Sequence, residues 1–212
     1  MEQLNQTTWE EVAKSDPKDK ISVIIGDDKQ EDFKPQIKIE RWDNEVNFSV
    51  RLKDTEIGTE KVSTLQDKII WDKGNIKIEY YDYPEGEGGY KMVWYLKSKP
   101  ATNKVEFTIQ SKGLNFYYQP ELTQQEIDDG CERPENVVGS YAVYHKTKGG
   151  LNDINGKEYK VGKAGHIYRP KLIDAEGNEA WGNLKIDAEK GTYEVEIPQD
   201  FYNNAVYPIR SK

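Results

Sequence analysis

The sequence predicts an all-β fold, either one β-sandwich of jelly-roll-like type or two packed sandwiches. Apolar and polar residues alternate along most of the 212 residues, and about twelve to fourteen segments have this pattern of half-buried strands. Turn residues separate these segments at intervals of about 8 to 12 residues, as in sandwiches and barrels. The 14 Tyr, 5 Trp and 5 Phe provide the large side chains of a core.

The first predicted element is a short N-terminal helix. The segment Thr8-Trp-Glu-Glu11 fits a capping box, in which Thr8 caps the helix and Glu11 reaches back to it. We expect the helix to end near Lys14, because Asp16-Pro17 follows and proline interrupts helices. Beyond this point the pattern has a period of two residues, which predicts strands.

The predicted strands follow one another with short turns. Asp43-Asn44 and the segment from Asp187 to Gly191 are tight turns between alternating segments, as expected of hairpins. The predicted strands are residues 21–25, 35–42, 45–52, 68–71, 75–83, 90–96, 104–111, 114–118, 137–145, 158–162 and 165–173, with a closing pair at 180–187 and 191–197.

One long irregular segment, residues 119–136, interrupts this series. The sequence therefore predicts an N-terminal β-sandwich region at 1–118, a linker or crossover loop at 119–136, and a C-terminal β-sandwich region at 137–212. The two regions can also form one continuous domain, because a chain of this length suits either arrangement. Within the connecting segment, Thr123-Gln-Gln-Glu126 predicts one helical turn.

Charge and composition exclude several classes of function. The net charge is −8 and lysines alternate with glutamates, so no basic patch is expected for nucleic acid. The N-terminus has neither the basic nor the apolar part of a signal peptide, and no apolar run is long enough to span a membrane. The one cysteine, Cys131, cannot form an internal disulfide and lies among acidic residues that would not activate a thiol.

Catalytic motifs are not found, and we predict that the chain is not an enzyme. It has two histidines, His145 and His166, and Ser140 follows a glycine without forming a Gly-x-Ser-x-Gly motif, so no Ser-His-Asp triad is predicted. Glutamates on strands are expected to form ion pairs with lysines rather than the carboxylate pair of a glycosidase. These glutamates are Glu40, Glu45, Glu79, Glu194 and Glu196.

No cofactor or metal is predicted. One cysteine and two distant histidines cannot form a zinc site. Three acidic runs could offer oxygen ligands to calcium, but none matches the twelve-residue calcium loop, and turn-stabilising Asx interactions are the favoured interpretation. The runs are Asp27-Asp28, Asp153-Ile-Asn155 and Asp174 to Asn178.

Runs of adjacent aromatic residues are the main candidates for binding. Neighbouring side chains on a strand point to opposite faces, so one ring of each run is expected in the core and the next at the surface. Exposed rings can anchor a protein interface or stack on a sugar, and we favour core packing and subunit contact. The candidate residues are Tyr80, Tyr81, Tyr83, Trp94, Tyr95, Tyr117 and Tyr118.

The C-terminal half resembles a known type of module. A strand ends at Ile197-Pro198, Phe201 follows in a turn, and the segment Ala205-Val-Tyr-Pro-Ile209 comes next. This order resembles an uncharacterised β-sandwich module of tailed-phage virion proteins and bacterial surface proteins, and the likeness covers about residues 104–209. The resemblance implies a scaffold that has no catalytic residues and acts by binding.

Three functional hypotheses follow. The first is a virion structural protein (a capsid, capsid-decoration or tail-associated subunit) that is made in the host cytoplasm and binds itself, as a homo-oligomer, or other virion subunits. The alternative is a carbohydrate-binding or adhesin-like module that stacks a host-surface glycan on Trp94, Tyr95 and the tyrosines at 80–83. The third is a hydrolase with a carboxylate pair on a sheet face.

Overall fold

A computed structural model describes residues 1–12, 17–82, 89–150 and 156–212. The structure is all-β, with 49% of residues in strands and 8% in helices, which confirms the predicted fold class. The strands are β1 (Glu2–Asn5), β2 (Thr8–Val12), β3 (Ile21–Gly26), β4 (Gln36–Arg41), β5 (Val46–Leu52), β6 (Lys61–Leu65), β7 (Lys68–Lys73), β8 (Ile76–Asp82), β9 (Tyr90–Leu96), β10 (Lys104–Lys112), β11 (Leu114–Tyr118), β12 (Tyr141–His145), β13 (Lys163–Ile167), β14 (Lys171–Ile173), β15 (Glu179–Trp181), β16 (Asn183–Asp187), β17 (Thr192–Glu196) and β18 (Ile209–Ser211).

The strands form three antiparallel sheets. An eight-stranded sheet has the order β1-β2-β3-β4-β5-β10-β17-β16, and a seven-stranded sheet has the order β15-β14-β18-β9-β8-β7-β6. These two pack as sandwiches, while β11-β12-β13 form a small third sheet. Both large sheets contain strands from before residue 119 and after residue 136, so the two halves of the chain share their sheets.

Large side chains on the inner faces fill the core. Along β5, side chains alternate strictly between buried and partly exposed, as expected for a strand with one face in the core. Trp42, Trp71, Tyr80 and Phe107 are among the largest fully buried side chains. The aromatic residues therefore provide much of the core volume of this hydrophilic chain.

The predicted N-terminal helix is wrong. Thr8–Val12 is strand β2, which pairs with β1 and β3. Trp9 is 7% exposed and its ring contacts Phe33 edge-on, with 5.9 Å between the ring centroids. Burial of this ring on a sheet gains more than an isolated helical turn, since short helices are marginal in water.

Several strand predictions in the second half also need correction. The strand predicted at 165–173 is divided into β13 and β14, and the one at 180–187 is divided into β15 and β16, which belong to different sheets. Residues 160–162 form a short 3₁₀ helix instead of a strand, because Val161 and Gly162 adopt left-handed backbone angles, with φ of 57° and 78°. Strand β12 begins at Tyr141 rather than at Val137, because Gly139 has a φ of 74° and ends a turn there.

The two α-helices are short. The turn predicted at Thr123 is confirmed as α1 (Gln124–Asp128), with both hydrogen bonds of a capping box between Thr123 and Glu126. The second helix, α2 (Gln199–Asn204), follows Pro198. In the ranges that the structure describes, no helix is long and apolar enough to cross a membrane.

Candidate functional site

The aromatic runs on β8 and β9 divide between core and surface, as predicted. Tyr80 and Trp94 are 0% and 2% exposed, so they pack in the core and offer no surface to a ligand. Tyr81 and Tyr95 are partly exposed on the outer face of the seven-stranded sheet. Tyr83 lies outside the described residues.

Lysine side chains cover the two outer rings. The ammonium group of Lys77 lies 3.8 Å from the ring centroid of Tyr95, and that of Lys68 lies 4.5 Å from the ring of Tyr81. Both lysines donate hydrogen bonds to Glu79, at 2.8 and 3.0 Å. Burial, together with the nearby Glu79 charge, raises the pKa of Tyr95 to about 12. A sugar would have to displace these cations before it could stack here.

A second group of rings lies on the outer face of the three-stranded sheet. Ala142 pairs with Tyr117 on one side and with His166 on the other. Side chains two residues apart on a strand share a face, so Tyr144 points to the same side as Ala142. Tyr168 follows the end of β13, and its ring contacts that of His166. We call Tyr117, Tyr144, His166 and Tyr168 the aromatic face.

The aromatic face is ordered within itself and open to solvent. The rings of Tyr117 and Tyr144 meet edge-on with 5.8 Å between centroids, and those of His166 and Tyr168 lie 4.4 Å apart. Tyr117 is 51% exposed and Tyr168 is 53% exposed, so the described chain places no further layer over them. On its inner face the same sheet contacts the core, where Phe116 meets Phe48.

A buried Ser-His contact lies under the aromatic face. The Ser140 hydroxyl and the His166 Nε2 atom are 2.5 Å apart. Ser140 is 0% exposed and also donates a hydrogen bond to the Val137 carbonyl, so its hydroxyl is not available as a nucleophile. Burial, and secondarily the Lys163 charge, lowers the pKa of His166, which favours a neutral ring at neutral pH.

The glutamates considered as catalytic groups are paired with lysines, as predicted. Their partners lie on a neighbouring strand or two residues along the same strand, so each carboxylate is occupied. The pairs are Lys38–Glu40, Lys68–Glu79, Lys77–Glu79, Lys104–Glu194 and Lys185–Glu196.

Glu45 has a denser set of partners, which we call the Glu45 cluster. Its carboxylate accepts hydrogen bonds from Lys148, from Lys157 at 3.3 Å, from the Tyr159 hydroxyl at 2.7 Å and from His145 Nε2 at 3.1 Å. His145 Nδ1 accepts from two backbone N–H groups, so the ring proton resides on Nε2. These groups satisfy one another and join the β4–β5 hairpin to the segment after β12.

Turn chemistry accounts for Asp174. Its carboxylate accepts hydrogen bonds from the backbone of Glu176, Asn178 and Val206 and from the Asn178 amide, which is the predicted Asx arrangement. In the described ranges no three His, Cys, Asp or Glu side chains are grouped to hold a metal. The run from Asp153 to Asn155 lies outside those ranges.

The sequence pointed to only part of this surface. Tyr117 was predicted, whereas Tyr144, His166 and Tyr168 were not recognised as its neighbours. Tyr144 and Tyr168 lie two residues from Ala142 and His166. This spacing would have identified them as neighbours of Tyr117 if the strand order β11-β12-β13 had been known. That pairing bridges the long segment 119–136, and no local pattern specifies it.

Comparison with known proteins identifies no relative: no protein-family model, no curated protein and no solved structure matches this chain.

Proposed function

We propose that this protein is a structural subunit of a virion that acts by binding, and that its aromatic face contacts a second copy of the chain. The observation that carries this proposal is the exposure of Tyr117 and Tyr168, 51% and 53%, on a paired sheet. Large exposed rings on a rigid scaffold are typical of the central residues of protein interfaces.

Electrostatics favour this face for self-association. The chain has a net charge of −8, so two copies repel each other over most of their surfaces. The aromatic face carries no carboxylate, and the lowered pKa of His166 favours its neutral form. A two-fold contact through this face brings rings rather than like charges together.

The virion assignment draws on the resemblance of the closing segment to phage modules. Residues 197–209 connect the eight-stranded sheet to β18 in the seven-stranded sheet, a scaffold role compatible with such a module. The alternative of glycan stacking at Tyr81 and Tyr95 has less support, because lysine ammonium groups already occupy both rings. A hydrolase is disfavoured by the lysine pairing of its candidate carboxylates.

We expect the wild-type chain to exceed its monomer mass of 24.5 kDa in light scattering as concentration rises. Tyr117→Ser combined with Tyr168→Ser should weaken association at least about a hundredfold, because central interface tyrosines often contribute 2 kcal/mol or more each. Circular dichroism checks that the variant is folded.

A matched control replaces two tyrosines on a different sheet. Tyr81→Ser combined with Tyr95→Ser removes rings from the outer face of the seven-stranded sheet and should leave the association unchanged. A wild-type chain that stays monomeric at all concentrations, alone and with purified capsids, would contradict the proposal. Equal weakening by both double variants would contradict the choice of face.

A further inference from the structure

A cleft separates the three-stranded sheet from the edge of the eight-stranded sheet. Its volume is about 560 Å³, and it lies between the end of β11 and strand β16. We call it the Arg169 cleft. Tyr118, Arg169, Asn183 and Lys185 line it, and Glu121 contributes the one carboxylate among the lining side chains. It is separate from the aromatic face, because Tyr117 and Tyr118 point to opposite sides of β11.

The cationic group in this cleft lacks an ionic partner. The Arg169 guanidinium stacks on Trp181, 4.5 Å from the ring centroid, and donates one hydrogen bond to the Glu135 carbonyl. The Glu135 carboxylate is used by the Trp181 indole N–H. In the described part of the chain, no carboxylate pairs with Arg169 and its buried Nε has no acceptor.

The surrounding structure holds this guanidinium in place. Gly139 lies against it, and a side-chain carbon at that position would come within 3.1 Å of Arg169 Cδ. By contrast, Arg41 binds both oxygens of Asp19, so another partly buried arginine of this chain has a carboxylate partner. The Arg169 guanidinium is held in place but has no carboxylate partner in the described ranges, so it is suited to bind an anionic ligand.

The edge of β16 adds hydrogen-bond donors. The N–H of Ile186 donates to the Tyr141 hydroxyl, at 3.1 Å, and the N–H of Gly182 donates to the Pro170 carbonyl, at 2.9 Å. Successive N–H groups on a strand alternate in direction, so those two residues apart point the same way. The N–H of Leu184 is two residues from both Gly182 and Ile186, so it also points away from β17, towards the cleft. The side chains of Asn183 and Lys185 stand beside it.

The two flanking hydrogen bonds also limit the size of a ligand. They use the donors on both sides of Leu184, so an added strand from another protein cannot continue along this edge. The cleft volume lies within the range of about 300 to 1,000 Å³ of small-molecule sites. Tyr118 is 53% exposed and meets Tyr141 edge-on with 5.4 Å between centroids, so one face of its ring is available for stacking.

We propose that the Arg169 cleft binds a carboxylated sugar ring, such as a uronic or sialic acid unit. The sugar carboxylate would pair with Arg169, and its hydroxyls would accept from Asn183 and the Leu184 N–H, while Lys185 keeps its ion pair with Glu196. The apolar face of the sugar would lie on the Tyr118 ring. This site is independent of the proposed self-association, which uses the other face of β11.

The test is an amide-resolved NMR titration with glucuronic acid, galacturonic acid and N-acetylneuraminic acid, with glucose and galactose as neutral counterparts. We expect the acids alone to shift the Asn183, Leu184 and Lys185 amides, with millimolar affinity. Tyr118→Ala should weaken binding about tenfold. Tyr95→Ala removes a partly exposed ring from the outer face of the seven-stranded sheet; it is the control and should leave affinity unchanged.

A second variant tests the role of the charge. Arg169→Gln should abolish the preference for acidic over neutral sugars. If this substitution unfolds the chain, Tyr118→Ala still tests the site, because Tyr118 is exposed and its replacement should not affect folding. Shifts of the same size with glucose would overturn the carboxylate assignment. No shift of the β16 amides by any acid at about 20 mM, where a millimolar ligand saturates its site, would overturn the site itself. Either result leaves the light-scattering test of self-association unaffected.

Discussion

Replacing Trp42 by alanine is expected to destabilise the fold by about 3 to 5 kcal/mol, the range for deleting a buried tryptophan ring. Trp42 is 0% exposed. Its ring lies 5.0 Å from that of Tyr159 and 5.7 Å from that of His145, and the Arg41 guanidinium lies over it at 4.7 Å. No smaller side chain can keep these contacts.

Backbone conformation makes this position unusual. Trp42 has a φ of 53°, and Asp43 and Asn44 are also left-handed. A bulky residue is strained in this region, typically by about 1 to 3 kcal/mol, so the surrounding contacts must hold it there. The indole N–H donates to the Glu158 carbonyl at 2.7 Å, which attaches the hairpin to the segment that leads into β13.

The measurement is urea unfolding, combined with hydrogen exchange. Trp42→Ala should shift the midpoint strongly and increase exchange in β13, because the segment before that strand loses its anchor. Trp42→Phe is the matched variant: it keeps a ring but leaves the Glu158 carbonyl without its donor, at a cost of about 1 to 3 kcal/mol. A loss below about 1 kcal/mol for Trp42→Ala would show that the ring does not anchor this segment.

The effect should extend to the proposed binding surfaces. Arg41, next to Trp42, donates to the carbonyl of Ala164 in β13 at 2.9 Å. Strand β13 carries His166 and leads to Tyr168 and Arg169, so the aromatic face and the Arg169 cleft both depend on its position. Loosening the hairpin should therefore weaken self-association and acid binding together.

Much of the fold could be predicted because strand periodicity is a local signal. The alternation in 46–52 reports directly which side of β5 is buried, and the same rule separated Tyr80 from Tyr81. Periodicity could not predict which strands pair with one another. Strand β18 lies between β14 and β9, and that position depends on packing between distant segments. Trp9 shows the reverse effect, where tertiary burial overrides a local helix signal.

The candidate site was less predictable for a related reason. Sequence alternation indicated that Trp94 and Tyr95 face opposite sides of the strand, but not that the Lys77 ammonium lies 3.8 Å from the Tyr95 ring. Nor could it bring Arg169 to Trp181 beside Tyr118, because these residues come from separate segments. Binding surfaces are assembled from cross-strand neighbours, and a single sequence reports such neighbours only where a short hairpin fixes the register.

Glu45 is expected to make stability depend on acid pH. Burial opposes its ionisation, but hydrogen bonds from four side chains, with Lys148 the strongest, outweigh that effect and lower its pKa from 4.5 to about 2. A carboxyl whose pKa is lower in the folded state stabilises the fold above its ordinary pKa. That contribution is complete above about pH 4.5 and is lost as the pH falls towards 2.

The size of this effect follows from the same values. The lowering of the Glu45 pKa from 4.5 to about 2 corresponds to a stabilisation of the folded state by at most about 3 kcal/mol. Glu45 keeps 24% of its side chain exposed, and solvent screening reduces the contribution to about 1 to 2 kcal/mol. Glu45→Gln should therefore lower stability by this amount at pH 7.

Urea unfolding between pH 7 and pH 3 tests this expectation. The difference in unfolding free energy between the wild type and Glu45→Gln should shrink as the pH falls. Protonation neutralises the Glu45 carboxylate of the wild type at low pH, whereas the substitution removes this charge at every pH. Glu194→Gln, which breaks an exposed pair with Lys104, is the control and should cost less than about 1 kcal/mol. If the difference in unfolding free energy stays constant from pH 7 to pH 3, the Glu45 carboxylate does not stabilise the fold through its charge. A contribution from packing alone does not change with pH, whereas that of a carboxylate held by Lys148, Lys157 and Tyr159 does.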